Sequence, residues 1–154
     1  RLQWGEVDDL RILGLDYGEK RIGLALCNEG GIATGLPTML RKNKKHDMEV
    51  LARLIRNHHI EKIVIGYPVR LDGSEGVQCE KVNRFAALLE KTFFVPVVKW
   101  PEAMTTKEAE ERLIHCGVRW KKRKSKVDQV AACLILQDYL DAFFWKVSGE
   151  KNEE

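Results

Sequence analysis

The stretch from Arg11 to Cys27, R-I-L-G-L-D-Y-G-E-K-R-I-G-L-A-L-C, constrains the rest of the chain most. Ile12, Leu13 and Leu15 form a short apolar run that stops at Asp16, and Tyr17-Gly18-Glu19-Lys20 has the composition of a turn. Ile22, Leu24 and Leu26 then alternate with smaller residues, which is the period of a second strand. Two strands this close, joined by a Gly-containing turn, predict an antiparallel hairpin. Asp16 therefore ends the first strand, with its apolar neighbours fixed in a sheet and its carboxylate at the open edge. That placement suits a metal ligand or a general base. An aspartate shortly before a glycine is also ordinary turn chemistry.

Beyond the hairpin, Ile32 to Leu40 alternates again and predicts a third strand at the sheet edge, where Pro37 is tolerated. Arg41 to Lys45 is polar and reads as a connection. Met48, Leu51, Leu54 and Ile55 recur at helical spacing and predict a first helix from Asp47 to about His58. Ile63-Val64-Ile65 marks a buried strand over 61–66. Gly66 to Gly76 is punctuated by Gly and Pro and reads as a loop. Ser74 is placed to cap a second helix that turns Val77, Val82, Phe85, Ala86, Leu88 and Leu89 inward. Phe93 to Trp100, with Val95, Val97 and Val98, predicts a fifth strand. Thr105-Thr106-Lys107-Glu108 is a capping box opening a helix that Gly117 ends after Cys116. Asp128 begins a last helix with the stripe Val130, Ala131, Leu134, Ile135 and Tyr139.

Because helices precede the fourth and fifth strands, both run parallel to the first. With the fourth docked beside the first, the result is an α/β fold: a five-stranded mixed sheet of order 3-2-1-4-5, flanked by helices. The direction of sheet growth reverses beside the first strand, and open α/β sheets bind ligands outside the strand carboxyl ends at such a switch point. The 154 residues fit one domain over 11–146, with a lead-in over 1–10 and an acidic tail over 147–154. The shares of apolar residues, 44%, and charged residues, 32%, exclude a fibrous or disordered chain. No apolar run approaches the ~18 residues of a membrane span, and no signal peptide is visible. Cys27, Cys79, Cys116 and Cys133 have neither C-x-x-C nor metal-finger spacing, and the three that sit inside apolar periodic segments read as small hydrophobes in a reducing cytoplasm. The adjacent His58 and His59 face different ways at a helix end, and His115-Cys116 also closes a helix, so neither pair reads as a metal site. Phe143-Phe144-Trp145 offers an apolar contact, either to the sheet or in a homodimer.

The net charge of +3 says little, but its distribution says more. Arg119, Lys121, Lys122, Arg123, Lys124 and Lys126 stand almost side by side, as in a phosphate-contacting loop or a merely solvated one. Three parallel strand ends crowd one edge, which brings Glu102 near Asp16, and Asp128 opens the last helix. Each acid alone has an ordinary reading as a turn, loop or helix first-turn residue. Their convergence points to function. Carboxylates that meet without a positive partner repel, a hard divalent cation relieves that repulsion, and oxygen ligands favour Mg or Mn over zinc. Such ions, as a pair ~3.5–4 Å apart, activate water and stabilise the leaving oxygen of a phosphodiester. This is nuclease chemistry.

The motifs G-L-D-Y-G-E-K-R-I-G-L-A, I-V-I-G-Y-P with D-G-S-E-G, T-T-K-E-A-E and K-V-D-Q-V-A-A occur in this order between Arg11 and about Leu140. In that arrangement the chain resembles the YqgF family, also called RuvX. These are Holliday-junction-resolvase-like proteins of RNase H-like fold, regarded as candidate pre-16S rRNA nucleases. The resemblance implies that Asp16, Glu102 and Asp128 are catalytic, metal-binding acids, and that the protein is cytoplasmic and acts in 16S rRNA 5′-end maturation. It also implies that Gly66 to Gly76 lines the nucleic-acid side, where Arg70 and Ser74 join Lys20, Arg21 and the basic loop as expected contacts to structured RNA or branched DNA. One departure stands out. Where the family has Asp-Glu-Arg before Leu-Thr-Thr, this chain has Pro101-Glu102-Ala103 before Met104-Thr105-Thr106, so one acid and one arginine are missing. A binding module of the same fold with impaired catalysis is therefore the alternative. An actin-like or sugar-kinase-like phosphate binder would need a longer chain.

Overall fold

The computed structural model describes residues 11–27, 31–69, 72–102 and 129–143. They form strands β1 (Ile12–Asp16), β2 (Arg21–Cys27) and β3 (Ala33–Leu40), helix α1 (Lys44–Asn57), strand β4 (Lys62–Pro68), helix α2 (Val77–Phe93) and strand β5 (Val97–Glu102). A further helix, α3, occupies residues 129–143. The sheet has the order β3-β2-β1-β4-β5, with β1 antiparallel to β2 and parallel to β4, and β4 parallel to β5. This is the topology expected from the hairpin and the two crossovers. Among the described residues no helix is long and apolar enough to cross a membrane.

Strand alternation divides the core into two layers. Leu13, Leu15, Ile63 and Ile65 pack with Leu51 of α1 and Val82, Phe85 and Leu89 of α2. Ile12, Ala25 and Val64 face the other way, onto Ala132, Ile135, Leu136 and Leu140 of α3. The buried stripe of α3 is thus displaced from the one expected: Ala131 and Ile135 are buried, but Val130 and Leu134 are only half-buried, and Ala132, Leu136 and Leu140 take their places. Leu136 lies against Gly14, whose missing side chain admits α3 so closely that a Cβ there would lie 2.8 Å from Leu136 Cβ. Cys27 and Cys79 are buried and Cys133 is half-buried, all as free thiols, and burial pushes the Cys27 and Cys133 thiols up, away from the reactive thiolate.

Several boundaries differ from the expected ones for local reasons. Helix α1 starts at Lys44, not Asp47, because Asn43 caps it by accepting the His46 N–H at 2.8 Å. It ends as expected near His58, with His59 in the left-handed conformation at φ 52°. Strand β4 runs on to Pro68, two residues past the expected end at Gly66, so the loop begins later. Helix α2 is capped by Gly76 and not by Ser74, and its first residue Val77 is 65% exposed. The same helix absorbs Phe93 and ends at Phe94 with φ 56°, which delays β5 until Val97 and carries it through Glu102. Pro37 lies in the edge strand β3 where the register with β2 shifts between Ile22 and Leu24, a site where its missing N–H is tolerated. The capping box at Thr105, the helix to Cys116 and the basic loop lie outside the described residues, as does Cys116.

Asp47 is a polar group in the core, 2% exposed, and it ties α1 to the hairpin turn. It accepts Arg41 Nε at 3.1 Å and the Lys42 N–H at 3.1 Å, while Arg41 donates to the Gly18 carbonyl at 3.0 Å. Burial opposes ionisation of Asp47, but the bonds from the Lys42 amide, Arg41 and His46 outweigh it and hold the carboxyl below its ordinary range. Asp47→Asn is expected to cost roughly 2–3 kcal/mol at neutral pH, because it leaves a buried charge short of its partner. A depressed folded pKa contributes stability above the unfolded value, near 4, and that contribution disappears as pH falls through the folded value. The stability gap between wild type and variant, measured by urea unfolding, should therefore narrow below about pH 4; a gap independent of pH would show that the carboxylate's charge is not the stabilising element.

Candidate active site at the carboxyl edge of the sheet

Each of the three parallel strands, β1, β4 and β5, brings one position to the same face at the same edge. In β1, Ile12 packs under α3 and the Cβ of a residue at Gly14 would meet it, so Asp16, two residues on, projects to that face. Leu15 pairs with Ile65, which sets Asp16 level with Gly66 of β4. In β5, Trp100 packs on the α3 layer, where its indole N–H donates to Asp138 Oδ2 at 2.7 Å and its ring meets Tyr139 edge-on. Glu102, two residues further, shares that face. Its carboxylate folds back over β4, since a Cβ at Gly66 would lie 2.6 Å from Glu102 Oε1 and 2.7 Å from Ile135 Cδ1.

Asp16 and Glu102 thus flank Gly66, one on each neighbouring strand, and both are half-buried. Glycine is required here by contact, not by backbone angle: any side chain would occupy the space of the Glu102 carboxylate. The sequence placed Gly66 at the junction of the fourth strand and the loop but carried no sign of this role, whose cause lies in Glu102 and Ile135, far along the chain. Pro101 is exposed on the edge strand and alternates to the opposite face from Glu102, pairing in register with Tyr67. An acid at 101 would therefore point away from Asp16, and its replacement by proline removes no carboxylate from this face. Ala103 lies outside the described residues.

The other expected site residues are distributed unevenly. Lys20 is exposed in the hairpin turn and Arg21 is half-buried at the start of β2, both beside the carboxyl edge. Ser74 is half-buried in the loop before α2, where its N–H is taken by Asp72 Oδ1 at 2.8 Å. Arg70, Asp128, Arg119, Lys121, Lys122, Arg123, Lys124 and Lys126 lie outside the described residues, although α3 is in place from Gln129, directly after Asp128. Among the described residues no three His, Cys, Asp or Glu side chains group to hold a metal ion. Two carboxylates on one face, with all-oxygen donors, fit a hard divalent cation and not zinc. Phe143 ends α3 stacked on Tyr139 at 6.5 Å between ring centroids, while Phe144 and Trp145 lie outside the described residues.

The family model for RuvX, Holliday junction resolvase, matches residues 10–142. The chain belongs to the RuvX family. A relative from Syntrophus aciditrophicus, named as a candidate pre-16S rRNA nuclease, is 59% identical over 143 residues, covering 92% of this chain and 93% of its own. A Bacillus subtilis relative of the same name is 43% identical, covering 86% and 99%. Among solved structures, a Thermus thermophilus RuvC in complex with a Holliday junction substrate aligns at TM-score 0.51 and 18% identity, over 88% of this chain and 96% of that one. A fowlpox virus resolvase bound to Holliday junction DNA aligns at TM-score 0.54 and 12% identity, over 87% and 99%. At that identity the likeness is one of fold, and it gives this RuvX protein the resolvase-type, RNase H-like architecture.

Proposed function

We propose that this RuvX chain is a metal-dependent nuclease that hydrolyses phosphodiester bonds in the 5′-end maturation of pre-16S rRNA, in the cytoplasm. The observation that carries this reading is the pair of carboxylates, Asp16 and Glu102, on one face of the sheet across Gly66. Family membership and relatives named for that activity support it. Asp16 and Glu102, with Asp128, the residue before α3 in sequence, would hold Mg or Mn, which would supply Lewis-acid activation of water and charge neutralisation at the scissile phosphate. The chain's own contribution is to orient these acids: β1 fixes Asp16 and β5 and the bare backbone at Gly66 fix Glu102, while Lys20 in the hairpin turn and Arg21 at the start of β2 would meet phosphate along the same edge. The opposed facing of Pro101 weighs against the impaired-module reading.

The test is cleavage of a labelled precursor rRNA and of a four-way DNA junction with Mn²⁺, Mg²⁺ or EDTA. Products that require metal and favour the RNA are expected. Binding without cleavage in every metal would replace the nuclease reading with that of a binding module, and a preference for the junction would reassign the substrate to branched DNA.

A further inference from the structure

A second concave surface opens on the face of the sheet opposite Asp16 and Glu102. Its floor is Tyr17, Arg41 and Phe85: the two rings meet at 4.9 Å between centroids, and the Arg41 guanidinium lies 5.0 Å from one and 5.4 Å from the other. Asp47 neutralises that guanidinium from beneath. The cavity, about 720 Å³, is walled by the hairpin turn, the start of α1 and one flank of α2, which contribute Lys20, Lys42, Lys44, Lys81 and Arg84. Glu19, the exposed acid in this wall, is already paired with Lys81, and that lysine together with Arg41 and Lys20 holds its carboxyl below the ordinary range. A neighbouring cavity of about 640 Å³ shares Lys44, Met48 and Leu88 and adds Lys45 and Lys91, so the groove continues between α1 and α2. From Lys81 to Thr92 it follows α2 for about 16 Å.

We infer that this groove binds the sugar–phosphate backbone of the nucleic acid whose cleavage is proposed above, holding a segment that flanks the scissile bond. Four ammonium or guanidinium groups, those of Lys20, Lys42, Lys44 and Arg84, make no ion pair among the described residues, while the groove's two acids are each paired with a cation. Concave surfaces lined by one sign of charge focus their field and gather polyanions. The apolar stretch at Met48 and Leu88 suits sugar contact, and the cations on either wall suit successive phosphates. Asp16 and Tyr17 are consecutive residues on opposite faces, only ~3.8 Å apart between Cα atoms. A strand placed at Asp16 that crosses the carboxyl edge of β1 therefore passes directly into the groove.

The inference rests on the nucleic-acid reading, so binding and cleavage are scored separately. Lys42→Gln/Arg84→Gln is compared with the charge-matched pair Arg53→Gln/Arg56→Gln on the exposed flank of α1, both in the full chain carrying Asp16→Asn, with precursor RNA as the probe. Each lost phosphate contact should lower the slope of log K against log salt by about 0.9. The groove pair should lose about 1.8 in slope and bind roughly thirtyfold more weakly at about 0.15 M salt, with the Arg53/Arg56 pair shifted much less. Equal shifts in both pairs, or none, would overturn the groove while leaving wild-type cleavage as evidence for the nuclease. Slope loss in a protein whose wild type never cleaves would keep the groove and remove the nuclease. Inorganic triphosphate is the second probe: if the groove pair loses triphosphate and keeps RNA, the site belongs to a small phosphate compound and the inference falls.

Discussion

Asp16→Asn is expected to lower cleavage of precursor rRNA by roughly a thousandfold, about 4 kcal/mol of transition-state stabilisation, which is the scale on which a metal Lewis acid acts. RNA binding should be unchanged or slightly tighter, because the substitution removes a negative charge from the path of a polyanion. The reason for so selective an effect is structural. Asp16 is the last residue of β1, its main chain pairs with Gly23 of β2, and asparagine keeps both the shape and those backbone bonds. Thermal midpoint should move little, since the residue is half-buried at the edge and the apolar residues of both layers, Ile12 on its own face and Leu13 and Leu15 on the other, are untouched. Single-turnover cleavage, filter binding and a melting curve on the same preparation separate these outcomes. Full residual cleavage would remove Asp16 from the chemistry. Loss of cleavage together with loss of binding and a lowered midpoint would make it a structural residue.

What could be read from the chain follows from how local each cause is. The order of the sheet was legible because apolar runs such as Ile63-Val64-Ile65 and the Arg11 to Cys27 hairpin carry their own periodicity, and short connections leave few topologies. The strand-end position of Asp16 and its nearness to Glu102 followed from that topology alone. Boundaries were less legible where a polar residue decides them: Asn43 starts α1 inside a run of basic residues that looks like a linker. At β5 the β-branched Val95 suggested a strand, yet α2 runs on to Phe93 and its left-handed end at Phe94 delays β5 until Val97. The basic groove could not be read at all, since Lys20, Lys42 and Arg84 come from three separate segments that only the fold brings together. The departure at Pro101 could not be placed from the sequence, because only the alternation along β5 shows that it takes the face opposite Glu102.

Gly66→Ala should have the second large effect, and of a different kind. The new methyl would lie 2.6 Å from Glu102 Oε1 and 2.7 Å from Ile135 Cδ1, closer than carbon tolerates on either side. Ile135 is anchored in the α3 layer with Leu136 and Ala132, so it can yield only by moving the helix. Glu102 is half-buried at the last position of β5, and its carboxylate is the group expected to move. Overpacking of this size costs about 1–3 kcal/mol of stability, which lowers the midpoint without unfolding the chain. Displacing a catalytic carboxylate by about 1 Å costs on the order of a hundredfold in rate. The variant should therefore remain folded, bind RNA, and cleave it roughly a hundredfold more slowly, with a weaker response to added Mn²⁺ than wild type. Glu102→Gln in the same assay fixes the interpretation, because combining it with Gly66→Ala should add little further loss if both act on one carboxylate. Additive losses would mean that the alanine acts through α3, and Glu102 would lose its place beside Asp16 in the mechanism.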